Sequence, residues 1–259
     1  MSLLNALLPS AFARPPRGSD SGGEPARIGL RGNGYGESYM QPTGDRYEPL
    51  LAEGSLFMTN PYSQGPATAS APGTGITLGT AAQTAFADTT AAVLAIQNTL
   101  AAGSGVTRLR PDSLKLLCTA AGAGGTNYNM ALVLDLATRL PGAATPYAPV
   151  ALSSSGRVAS AALVLGLTGL VLGAATAPRK VLTARTVKAA ALAVGDEFTL
   201  RFGETQPGNA VIGGATASRL TLDVPPVLIE PGWALYLYTW AAGQTAAPNF
   251  AFELVHAER

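Results

Sequence analysis

The side chains able to do chemistry are few in this chain of 259 residues, and their types and spacing narrow what that chemistry is. There is one histidine, His256 in FELVHAER, and one cysteine, Cys118 in SLKLLCTAAG. Cys-His catalysis would need these two to meet. Cys118 alternates with Leu114 and Leu116, the pattern of a small buried strand residue whose thiol stays protonated. His256 shares parity with Phe250, Phe252 and Leu254, which suits a solvated or capping residue at the edge of an apolar face better than a metal ligand. A single cysteine also excludes an internal disulfide and a multi-cysteine metal site.

Carboxylates act without histidine, and Asp45, Glu48, Glu53, Asp196, Glu197, Glu253 and Glu258 leave an acid pair of glycosidase type open on spacing alone. Asp196 and Glu197 are adjacent, so within a strand they point to opposite faces; a turn followed by a strand start explains them better. Gly32, Gly34 and Gly36 form a GxGxG, and Gly122, Gly124 and Gly125 punctuate TAAGAGGTN. Neither run follows a buried strand and opens a helix, the context a phosphate loop requires. The expectation is a protein with no catalytic residues, no cofactor and no metal.

The elements that carry these residues are β in character. Gly 30 and Pro 19, with only 13% charged residues and a formal net charge of +1, describe a turn-rich chain with no basic field for nucleic acid. Residues 1–79 show almost no sustained period and are dense in Gly, Pro, Ser and Asn. Aromatic and apolar side chains nonetheless recur through them, including Tyr35, Tyr39, Tyr47, Phe57 and Tyr62, which a solvated linker does not need. An extended arm that docks on other subunits accounts for both features. The apolar start MSLLNALLPSAFA lacks a preceding positive residue and is interrupted by Pro9, unlike a secretory leader.

Residues 80–259 read as a β-domain. Candidate strands are 113–120, 129–136, 147–152, 161–167, 169–174, 180–187, 197–202, 219–224, 233–240 and 249–256, the number and spacing of a β-sandwich or jelly roll. The Ala-rich segment 86–103 fits a helix or a strand. The uncharged run 158–177 is long enough for a membrane helix, but Gly166 and Gly169 within it favour two buried strands and no membrane span. Glu230-Pro231-Gly232-Trp233 carries the residues of a type II turn. The strand after it puts Leu235 and Leu237 on one face and Tyr236, Tyr238 and Trp240 on the other. If the leucines face the core, the aromatics face outward, to be covered by a second subunit, the arm or a particle surface.

The arm RIGLRGNGYGESYMQPTGDRYEPLLAEGSLFMTNPYSQG and the closing VPPVLIEPGWALYLYTWAAGQTAAPNFAFELVHAER resemble the small virion structural proteins of tailed bacteriophages. The resemblance implies a β-sandwich that decorates or cements the capsid, seals the head-tail connector or joins a tail appendage. It implies a homo-oligomer in the virion, assembled in the host cytoplasm. Its partners would be copies of itself and major capsid, portal or tail proteins. Interface residues are then Tyr35, Tyr39, Tyr47, Phe57, Tyr62, Tyr236, Tyr238 and Trp240. The alternative is a carbohydrate-binding or receptor-binding module of a tail spike or fibre, with the same exposed aromatics stacking on sugars.

Overall fold

The computed structural model describes residues 55–60, 82–104, 107–140, 146–147, 149–152, 159, 162–166, 172–203 and 216–258. Every regular element among them is a strand: β1 Leu56–Thr59, β2 Ala92–Asn98, β3 Leu109–Ala120, β4 Ala123–Asp135, β5 Pro146–Tyr147, β6 Val150–Ala151, β7 Ala162–Gly166, β8 Arg179–Lys188, β9 Glu197–Phe202, β10 Arg219–Val224, β11 Ala234–Ala246 and β12 Asn249–Glu258. The chain divides into two compact units. Of one, only Ser55, Leu56 and Leu152 are among the described residues, and there the Leu152 amide donates to the Leu56 carbonyl at 3.0 Å. The other, Phe57–Ala151 with Val158–Arg259, holds the sheets.

The described strands form two six-stranded sheets, ordered β10-β9-β3-β12-β1-β6 and β5-β7-β2-β11-β4-β8. Pairing is antiparallel except for β9 and β10, which run parallel with Arg219 opposite Glu197 and Val224 opposite Phe202. Clean alternation makes the strands of the first sheet. Phe198, Leu200 and Phe202 in β9, Leu220, Leu222 and Val224 in β10, and Phe250, Phe252 and Leu254 in β12 are all buried, between more exposed neighbours in β9 and β10. They join Leu94, Ile96, Leu132, Leu235 and Leu237 of the second sheet in one core cluster. Tyr128 of β4 crosses that core, its ring centroid 6.5 Å from Phe198 and 6.3 Å from Phe250.

Several expectations change here. The Ala-rich segment is a strand, β2, buried along its whole length because it is central in its sheet and its side chains join a hydrophobic cluster on each face. Residues 162–166 form the first strand expected in the apolar run, whereas 172–174 are irregular and residues 167–171 lie outside the described set. No helix among the described residues is long and apolar enough to cross a membrane. β1 lies inside the segment read as an arm, pairing Phe57 with Ala151 and Met58 with Val150. The rest of the expected arm, 1–54 and 61–79, lies outside the described residues. Pro111 sits within β3, opposite His256 at a break in the β3–β12 register, where a missing N–H is tolerated. The type II turn is present. Gly232 has φ +80 and the Trp233 amide donates to the Glu230 carbonyl at 2.9 Å.

Candidate functional site

The second face of β11 is the place where charge, aromatic rings and irregular backbone converge. Parity in β11 sends Leu235 and Leu237 into the shared core and Ala234, Tyr236 and Tyr238 to the opposite face, where they cluster with Ala91, Ala92, Ala95, Ala131, Val133 and Leu172. That face is covered from within the chain. Tyr236 and Tyr238 are wholly buried and Trp240 is half-buried. Of the three residues expected to await a second subunit, the arm or a particle surface, the two tyrosines are thus already covered, while Trp240 keeps part of its surface. Phe86, in the segment leading into β2, lays its ring 5.1 Å from Tyr238 and 5.4 Å from Trp240 and remains 45% exposed. The Ala241 amide donates to the Gln83 carbonyl at 3.0 Å, and the Gln83 amide to Gln244 Oε1 at 2.8 Å, fixing the start of this strap.

Arg139, just beyond β4, ties the cover down. Its Nε donates to Asp135 Oδ2 at 2.5 Å. One terminal nitrogen donates to the carbonyls of Asp88 (3.4 Å) and Gly173 (3.1 Å), the other to Asp88 Oδ1 (3.3 Å) and the Tyr238 hydroxyl (2.6 Å). Five N–H groups meet five acceptors, the full capacity of a guanidinium. The Tyr238 hydroxyl in turn donates to the Asp88 carbonyl at 3.1 Å, and the Arg139 amide donates to the Tyr236 hydroxyl at 2.9 Å. The guanidinium carbon also lies 5.1 Å from the centroid of the Tyr236 ring. Arg179 of β8 forms an ion pair with Asp88 from the rim.

Electrostatics here favour structure over proton transfer. Side-chain exposure is 2% for Arg139 and 3% for Asp135. Burial pushes the Asp135 carboxyl above its ordinary range despite the adjacent guanidinium, and Asp135 Oδ1 has no hydrogen-bond partner. Burial likewise pushes the Tyr236 hydroxyl up to about 12 and raises that of Tyr238 further. Neither phenol is a proton donor or acceptor near neutral pH.

The other titratable residues are also placed inside. Asp196 and Lys188 are both wholly buried, with Lys188 Nζ donating to Asp196 Oδ2 at 2.6 Å and reaching the Thr216 carbonyl at 3.4 Å. Glu197 points elsewhere, with Lys115 at 3.5 Å and Arg219 at 3.7 Å, as adjacent strand residues must. Cys118 is buried beside this pair. Burial first, then the Asp196 charge, pushes its thiol up to about 11, so it is not a nucleophile at neutral pH. His256 is wholly buried, which corrects the reading of a solvated or capping residue; it continues the buried parity of Phe250, Phe252 and Leu254 along β12. Its Nε2 lies 3.8 Å from Glu258 Oε1 and its ring stacks on Phe57 at 5.7 Å. Phe57, expected at an interface, is thus fully buried inside its own chain. Tyr35, Tyr39, Tyr47 and Tyr62 lie outside the described residues.

The glycine run of the β3–β4 turn has a packing explanation. A Cβ on Gly122 would lie 2.2 Å from the Ala246 carbonyl oxygen, and one on Gly124 2.4 Å from that of Gly243. These glycines let the start of β4 and the end of β11 approach closely, and the space left beside them, lined largely by glycine, alanine, Tyr128 and Gln244, is only ≈ 10 Å³. Among the described residues no three of His, Cys, Asp and Glu gather as metal ligands would. The chain matches no protein-family model, no curated protein and no solved structure.

Proposed function

We propose that this chain is a non-enzymatic structural protein of a bacteriophage particle: a β-sandwich of jelly-roll type that decorates or cements the head or the head-tail and tail assembly. One observation supports a building block most directly. Arg139, Asp135, Tyr236, Tyr238, Lys188, Asp196 and Cys118, the described side chains best suited to chemistry, are buried and engaged in holding strands and loops to one another. Large buried polar clusters of this kind fix a unique arrangement when every donor is satisfied. The virion assignment rests on the resemblance of the N-terminal and C-terminal sequences.

In this reading the protein works as a homo-oligomer within the virion, assembled in the host cytoplasm. It contacts copies of itself and capsid, portal or tail proteins, with Tyr35, Tyr39, Tyr47, Tyr62 and the half-buried Trp240 as the anchoring side chains. Phe57, Tyr236 and Tyr238 leave that set because their rings are buried at home. The same burial counts against sugar stacking by the two tyrosines.

The test is sedimentation velocity on the full chain and on a Tyr35→Ala, Tyr39→Ala, Tyr47→Ala, Tyr62→Ala variant, with thermal melting as the fold control. The parent should self-associate and the variant should sediment as a monomer with an unchanged melting temperature. A parent that stays monomeric at every concentration, or a variant that associates equally, overturns the arm as an anchor.

A further inference from the structure

We propose that Lys188 and Asp196 become joined by an isopeptide bond between Nζ and Cγ, formed by the folded protein itself. Lys188 ends β8 in one sheet, and Asp196 directly precedes β9 in the other, so the bond would tie the two sheets covalently in a chain whose single cysteine forbids a disulfide.

The geometry is that of reactants held together. Both side chains have 0% exposure, and Nζ lies 2.6 Å from Oδ2. A nitrogen hydrogen-bonded to one carboxylate oxygen sits at roughly 3–3.5 Å from the carbon it would attack, the separation of a near-attack conformer. The Thr216 carbonyl, 3.4 Å from Nζ, helps orient the amine. Two backbone donors aim at the carboxylate: the Ser218 amide to Oδ1 at 2.9 Å and the Ala193 amide to Oδ2 at 2.6 Å. The first is placed to stabilise the oxyanion of a tetrahedral intermediate.

The atoms balance without an outside reagent. The ammonium passes one proton to Oδ2 along the 2.6 Å hydrogen bond. The freed lone pair attacks Cγ, a second proton moves from nitrogen to the Oδ2 hydroxyl, and that oxygen leaves as water. An amide remains where an ion pair stood. Two charges vanish from a site closed to solvent, and the product water escapes to bulk.

The test uses the full chain, shown folded by circular dichroism, then denatured and digested with trypsin. An amide on Lys188 removes the cation trypsin recognises. The expected result is a peptide spanning Thr186–Arg201, uncut after Lys188 and one water lighter than its sequence mass. A Lys188→Arg variant, if it folds, should be cut after position 188 and show full mass. Complete cleavage after Lys188 with no loss of water in the folded parent overturns the proposal, whatever the variant does.

Discussion

Replacing Arg139 with alanine removes five hydrogen bonds at once and leaves specific groups stranded. Asp135 would keep a buried carboxyl with no donor on it and only the rim cation Arg179 nearby, and the carbonyl of Gly173 would lose its donor. Tyr238 retains its bond to the Asp88 carbonyl, and the backbone amide at 139 still reaches Tyr236, so part of the cluster survives. Truncating one member of a buried ion pair costs about 3–5 kcal/mol, because the other charge stays desolvated and unpaired. Against a total stability of about 5–15 kcal/mol, that is a fifth or more of what holds an ordinary domain. Urea unfolding followed by circular dichroism, with the slope compared between variants, measures it. Adding Asp135→Asn to Arg139→Ala should recover about half the loss or more, since the stranded charge is gone; lysine at 139 should recover little, because an ammonium cannot reproduce the planar fork. A loss below about 1 kcal/mol for Arg139→Ala, the range of exposed pairs, would show that the guanidinium is not holding the cover down.

The raised Asp135 carboxyl makes a signed pH prediction. A folded value above the ordinary 3.8 means that the native state keeps a proton the unfolded chain has released. Its contribution is fully present below the ordinary value and is lost as pH rises through the folded one. The stability of the parent relative to Asp135→Asn should therefore fall as pH rises from about 4, measured by unfolding at a series of pH values; a flat difference would contradict the burial argument. Cys118, with its thiol pushed up to about 11, should resist maleimide in the native protein and react at once in urea, read by mass; fast native labelling would show the thiol to be accessible. Gly124→Ala should cost at least about 1–2 kcal/mol from the positive φ alone, with the clash against the Gly243 carbonyl added, and a melting temperature equal to the parent's would refute the close approach of β4 and β11 there.

What could be read from the sequence depended on whether the signal was local. β9 and β10 begin and end where alternation places them, because each has one face in the core and one against looser surroundings. The Pro231-Gly232 turn is equally local. β2 was ambiguous for the opposite reason: covered on both faces, AVLAIQN has no polar side to set a period. The network around Arg139 was invisible because Asp88, Gly173 and Tyr238 lie far in the chain from the neighbouring pair Asp135 and Arg139 and meet it only through the fold. Spacing in the sequence gives no hint of such a meeting. Lys188 and Asp196 are near in sequence, but their burial depends on β8 and β9 belonging to different sheets.

The tyrosines of β11 contain a signal that was legible in chemical type, though not in partner. A sheet face covered by another sheet or a helix meets a surface whose backbone is already hydrogen-bonded, and leucine or phenylalanine suffices. A face covered by irregular chain meets amides and carbonyls with no ladder to satisfy them, and each unpaired group is costly once water is excluded. Here the cover brings the Asp88 carbonyl, the Gly173 carbonyl and the Arg139 amide onto β11 and its neighbours. The Tyr236 hydroxyl accepts from that amide, the Tyr238 hydroxyl donates to one carbonyl, and the guanidinium donates to both. Asp135 and Asp88 then balance the cation that so many acceptors required. An apolar strand face lined with tyrosine thus points to a cover without regular structure, and such a cover can be supplied by the chain itself as readily as by a partner.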